Sequence, residues 1–255
     1  MRGAIAIIAP GLFFAGCLFP SDRDSFGDQH PPPLVPLATS PRSGEERVSR
    51  NQTIRFFFDG RVHPDSLGTQ TLALTTGSSV IRCSRRVDLL DCSADLLPQD
   101  TLRPSLLYRA IARDLRSVAG GAQSEPVELL FVTGDATSTA PAAPAPELGL
   151  LVAEVFAPRC ASCHSGYQPP SGLDLSTEAA ARETLLGRES LYQPGVRLVS
   201  PGRHAASYLL WKLLALPGIW GDPMPPRTAS SWPTDRSCGT LDQDLRRIAA
   251  WVDGL

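Results

Sequence analysis

The chain runs to 255 residues with 24 prolines, 24 Lys and Arg against 26 Asp and Glu, and a formal net charge of -2. That length suits one large domain or two small ones with tethers, and the uneven spread of proline favours two. The basic residues are scattered rather than blocked, which excludes a nucleic-acid footprint and removes nucleic acid as a partner.

Residues 1–16 carry one cation, Arg2, ahead of an apolar run from Ala4 to Phe14, the anatomy of a signal peptide. The run is shorter than the roughly 20 residues a spanning helix needs and is broken by Pro10-Gly11. Phe14-Ala15-Gly16-Cys17 resembles the bacterial lipobox. That resemblance implies cleavage before Cys17 and lipidation of its thiol. Leu18, where an inner-membrane protein would carry Asp, implies sorting to the outer membrane. The expected location is therefore the cell envelope, on an outer-membrane lipoprotein facing the periplasm or the cell surface, with the bilayer as partner through the anchor. Residues 17–43, rich in Pro, Ser and charge with Pro31-Pro32-Pro33 at the centre, read as a flexible lipid-anchored tether.

From 44 to 135 the pattern changes to short β-favouring runs between turn signals. The expected strands are Thr53 to Phe58, Thr71 to Thr75, Ser79 to Cys83, Val87 to Cys92, Leu106 to Ala112 and Val127 to Thr133. Ile54, Phe56 and Phe58 alternate, as a half-buried strand requires. Such spacing suggests a β-sandwich. Tyr108, Asp114-Leu115, Gly120-Gly121 and Leu130-Phe131-Val132-Thr133-Gly134 resemble the bacterial Ig-like domains of surface proteins. In an exported chain Cys83 and Cys92, on adjacent expected strands, read as a cross-strand disulfide; two buried free thiols are the alternative. His63, before Pro64, reads as a loop residue, and Asn51-Gln52-Thr53 as an accidental glycosylation sequon.

Residues 136–146 form an Ala/Pro linker with polyproline II preference. In 147–255, Leu148, Leu151, Val152, Val155 and Phe156 mark one helical face. A second helix is expected from an N-cap at Ser207 to the stop at Pro217, and a last one behind a capping box, Thr240-Leu241-Asp242-Gln243, with Leu245, Ile248 and Val252 on its stripe.

Between them lies Cys160-Ala161-Ser162-Cys163-His164. On one helical turn the two thiols share a face, and C-x-x-C-H reads as covalent haem attachment with His164 aimed at the iron. A thioredoxin-like thiol pair or a zinc site completed by His204 and Cys238 are the rivals. The motif resembles the cytochrome c family. Pro170-Ser171-Gly172-Leu173-Asp174-Leu175, Val199-Ser200-Pro201-Gly202 and Ser207-Tyr208-Leu209 resemble monohaem cytochrome-like domains of planctomycetes and myxobacteria. These resemblances imply one covalent haem c and packed first and last helices. Their Met-Pro pair falls on Met224, the one methionine besides Met1, framed by Pro223, Pro225 and Pro226, as sixth iron ligand, with His204 as alternative. Cys238 lacks an evident partner.

The expected fold class is thus multidomain: an N-terminal all-β Ig-like sandwich followed by an all-α cytochrome c-like domain. The expected function is a lipid-anchored, non-enzymatic electron carrier serving an unknown redox partner. A haem enzyme with an open axial site, or a structural or binding surface lipoprotein with a degenerate cytochrome module, are the alternatives.

Overall fold

The computed structural model describes residues 31–138, 144–226, 237–239 and 242–255. The expected signal peptide, the lipidation site Cys17, most of the tether, and Thr240 and Leu241 of the capping box lie outside the described residues.

Alternation of apolar and polar residues builds two sheets. The first has strand order β1 (Pro36–Ser40), β3 (Ile54–Phe58), β7 (Ser93–Pro98) and β6 (Cys83–Asp88). The second has order β2 (Glu45–Val48), β9 (Val127–Thr133), β8 (Leu107–Ala112), β4 (Leu72–Thr76) and β5 (Ser79–Val80). All pairs are antiparallel except β2 with β9. Ile54, Phe56 and Phe58 from one sheet and Leu74, Tyr108 and Phe131 from the other are fully buried between them. Tyr108 stacks on Phe131 with ring centroids 5.6 Å apart, and its hydroxyl accepts from the Arg103 N–H at 2.9 Å. The β4–β5 hairpin turns at Gly77, φ +53°, a value that favours glycine. Gly121 is required for another reason: a Cβ there would lie 1.8 Å from the Pro32 carbonyl oxygen.

The sandwich starts earlier than residue 44. Leu34 is buried and bridged to Gln123, and β1 falls within the stretch expected to be tether. The run Val87 to Cys92, expected as a strand, is the end of β6 plus a four-residue turn, Leu89 to Cys92, with the partner strand beginning only at Ser93. Asp88 shapes that turn: its Oδ1 accepts from the N–H groups of Leu90 and Asp91, at 2.9 and 3.0 Å.

The rest of the chain does not form an all-α cytochrome c-like domain, and that expectation is corrected. The helices α1 (Leu148–Leu151), α2 (Ala157–Arg159), α3 (Glu178–Leu185), α4 (Tyr208–Leu214) and α5 (Gln243–Asp253) have 3 to 11 residues. Pro- and Gly-rich irregular segments separate them, because proline lacks the N–H that an i to i−4 hydrogen bond needs and glycine loses more backbone entropy in a helix than other residues. Nor is this segment a domain apart: residues 31–255 form one compact unit in which the two sheets are the dominant regular structure.

The contact runs over the outer face of the first sheet. Ser93, Ala94, Asp95 and Leu96 of β7 are all fully buried, so both faces of this strand are covered. Register places Arg55 and Arg86 opposite Asp95 from the strands on either side. Asp95 lies 3.7 Å from Arg55 and 3.2 Å from Arg86 and accepts from the Ser93 hydroxyl at 2.6 Å. Burial nevertheless raises its pKa above the ordinary value, with Ser93 and the two arginines opposing.

Candidate functional site

α1 continues into one wider π turn, Val152–Phe156, and then α2. Pro158 has no N–H to return to the Glu154 carbonyl, and the wider turn shifts the bonding: the Ala157 N–H reaches Val152 O, five residues back. Beyond α2 the motif continues the coil. The N–H groups of Cys160 and Ala161 both donate to Phe156 O, and those of Cys163 and His164 both donate to Cys160 O at 3.1 and 2.8 Å. Cys160, Cys163 and His164 therefore share one turn. The segment is pinned from α5 by Arg159, which pairs with Asp242 at 3.3 Å and Asp244 at 2.7 Å, and by Arg247 on Glu154.

Both motif cysteines are free thiols, Cys163 exposed and Cys160 partly buried against the core. Burial pushes the Cys160 thiol up to about 11, with Arg159 opposing and Cys163 adding to the rise. A redox-active thiol pair works through a depressed pKa, so Cys160 does not fit the thioredoxin-like reading. His164 is half-buried. Burial lowers its pKa, while backbone groups of Leu173 and Pro170 pull the other way. Its Nδ1 is fully enclosed and makes no hydrogen bond of good geometry. Its carbonyl accepts from the Leu175 N–H at 2.8 Å, closing the loop of residues 165–174.

Met224 is partly buried against the core, and its N–H donates to Lys212 O at 3.0 Å. His204 cannot serve as its alternative. The ring is 2% exposed, its Nδ1 is 2.8 Å from Asp253 Oδ2, and its Nε2 accepts from the Leu89 N–H at 3.3 Å. Both ring nitrogens are thus engaged where α5 meets the sandwich. Asp253, its partner 49 residues away, had no local sequence signal.

The disulfide expectation is also corrected. Cys92 is bonded to Cys238, with Cα atoms 5.6 Å apart, and Cys83 is a buried free thiol. The hairpin explains it: Cys83 faces Pro98 at the open end, whereas Cys92 sits in the turn at the closed end. A zinc site using Cys238 is removed by the same bond. Burial pushes the Cys83 thiol up to about 11 against the opposing charge of Arg85.

A bond between cysteines 146 residues apart belongs to an oxidising compartment, and the protein is extracytoplasmic. Among the described residues no helix is long and apolar enough to cross a membrane. Among them, too, no group of three or more His, Cys, Asp or Glu could hold a metal ion. The expected cytochrome c class, with haem binding and electron transfer as properties of such a fold, thus finds no support in the two sheets or in a preassembled metal centre among the described residues.

No protein-family model and no curated protein matches the chain. Among solved structures it is similar to the S-layer protein rSbsC(31-844), at 13% identity and TM-score 0.33 over 46% of this chain and 16% of that one. It is also similar to PcoC, a methionine-rich copper resistance protein from Escherichia coli, at 15% identity and TM-score 0.31 over 40% and 99%. CopC from Methylosinus trichosporium OB3b gives 13% identity and TM-score 0.32 over 41% and 98%. These likenesses are too distant to bear on site or function.

Proposed function

We propose that the helical segment docked on the sandwich is a covalent attachment site for one haem, which Cys160 and Cys163 would hold through thioethers and whose iron His164 and Met224 would ligate. The observation that carries this reading is the turn itself: two free thiols one turn apart, followed directly by a half-buried imidazole whose enclosed Nδ1 makes no hydrogen bond of good geometry. The residues fit the group. A porphyrin brings its own four nitrogens to the iron, so the chain needs two thiols and one or two axial atoms rather than a cluster of carboxylates and imidazoles. The lowered pKa of His164 keeps its imidazole neutral, the form that ligates. Met224, unbranched and polarizable, offers a soft sulfur from a segment fastened to α4. When bound, the haem supplies a one-electron ferric/ferrous couple; no residue of the site is assigned acid–base or nucleophilic work, and the partner is another redox protein.

The reading does not restore an all-α fold. The sandwich is the platform, and the motif rides on it. Retention at the envelope through lipid on Cys17 is part of the same proposal, and Cys17→Ala is expected to release the protein into the soluble fraction.

Expression with a cytochrome c maturation system is expected to give an intact mass increased by one haem, lost in the Cys160→Ser/Cys163→Ser double variant. A mass without haem overturns the reading. Fast, stoichiometric carbon monoxide binding to the reduced protein would instead mark an open sixth position and remove Met224. A second reading, a surface protein whose thiols stay unmodified, draws on the inert character of Cys160, and the haem-free mass is its expected result.

A further inference from the structure

After α4 the chain reverses at Ala215 and runs back along the helix to Met224. Lys212 grips it at three points. Its Nζ donates to the carbonyls of Trp220 and, at 2.8 Å, Asp222, and its own backbone carbonyl accepts the Met224 N–H at 3.0 Å. One turn earlier on the same face, Tyr208 accepts the Trp220 N–H at 3.1 Å, and the Tyr192 ring stacks on Trp220 at 6.0 Å. The Lys212 ammonium lies 6.0 and 5.9 Å from the Tyr192 and Tyr208 ring centroids, at the outer reach of cation–π attraction.

We propose that Lys212 is the positioning residue for Met224, clipping the returning loop to α4 so that the sulfur is held at a fixed place. The inference deepens the haem reading, in which Met224 is a ligand, but the clip is a property of this chain's own contacts. Hydrogen bonds from a charged donor are stronger than neutral ones, and a loop without them opens more often.

The test uses two readouts on the full chain. In haem-free protein, oxidation of Met224 by hydrogen peroxide is followed by peptide mass spectrometry. Lys212→Leu is expected to raise the rate about tenfold, Lys212→Arg to restore most of the protection, and Tyr208→Phe, which removes one acceptor, to raise it about threefold. An unchanged rate in Lys212→Leu, with the wild-type melting temperature, overturns the proposal. If Lys212→Leu does not fold, the Tyr208→Phe and Lys212→Arg rates decide, and wild-type protection in the first overturns it equally. In haem-loaded protein, Lys212→Leu is expected to lose the sulfur-to-iron charge-transfer band while the covalent haem remains. Faster oxidation in a preparation that never takes up haem supports the clip and sinks the haem reading, so the two failures are distinguishable.

Discussion

Replacing Cys238 by Ser tests the linkage on which the arrangement depends. The bond joins positions 146 residues apart, and a cross-link spanning a loop of that size removes about 5 kcal/mol of chain entropy from the unfolded state at 25 °C. Measured values fall short of the entropic figure, so the expected loss is about 3–5 kcal/mol. With a urea m-value of about 2 kcal/mol/M, the midpoint should fall by about 1.5–2.5 M. Cys238 is the better site to change than Cys92, which is fully buried and whose truncation would add a packing term. The assay is urea unfolding by tryptophan fluorescence, beside thiol counting and a non-reducing digest of the wild type. An unchanged midpoint, or a digest that joins Cys83 to Cys92, would refute the reasoning.

Three further outcomes are expected. Burial raises the Asp253 pKa, but the hydrogen bond and charge of His204 outweigh it and hold it below the ordinary 3.8; a depressed acid adds stability above its unfolded pKa and loses it as pH falls through the folded one. Asp253→Asn should therefore flatten the loss of stability below about pH 4 in acid titrations followed by circular dichroism. With a thiol at about 11, about one Cys160 in a thousand is thiolate at pH 8, so iodoacetamide should alkylate exposed Cys163 first in haem-free protein, and equal rates would count against the burial. Phe56→Ala, at a side chain 1% exposed between the sheets, should cost about 3–5 kcal/mol in denaturant unfolding.

The strands were legible wherever one face is wet. Ile54, Phe56 and Phe58 are buried while Arg55 and Phe57 are not, so the alternation could be read directly. It failed at β7, where Ser93 and Asp95 are as buried as Ala94 and Leu96, because a strand covered on both sides loses its period and a buried aspartate looks like a turn residue. The cysteine pairing was hidden for a related reason: proximity along the chain pointed to Cys83, and only the hairpin register places Cys92 in the turn. The motif at Cys160 to His164 was read in five residues, since helical spacing alone groups them. The residues that hold its surroundings, Lys212, Asp253 and Arg159, act through contacts of 8 to 83 residues' separation and leave no local mark.

The turn Leu89 to Cys92 decides how sandwich and helical segment are joined. Leu89 gives its N–H to His204, Leu90 O accepts from Gly239 N–H at 3.0 Å, Asp91 pairs with Arg246 at 2.9 Å, and Cys92 is bonded to Cys238. All four residues are tied to the helical segment, by two hydrogen bonds, one ion pair and one disulfide, and the contacts reach it at three separate places along the chain: before α4, before α5 and on α5. A freely swinging module could not satisfy them together, since moving one attachment by a few ångströms breaks hydrogen bonds whose useful range is narrow. The position of Cys160, pinned to α5 through Arg159, is consequently fixed relative to the first sheet. Whatever the motif carries is presented at one orientation to the sandwich, and the Ala/Pro stretch before it does not set that orientation.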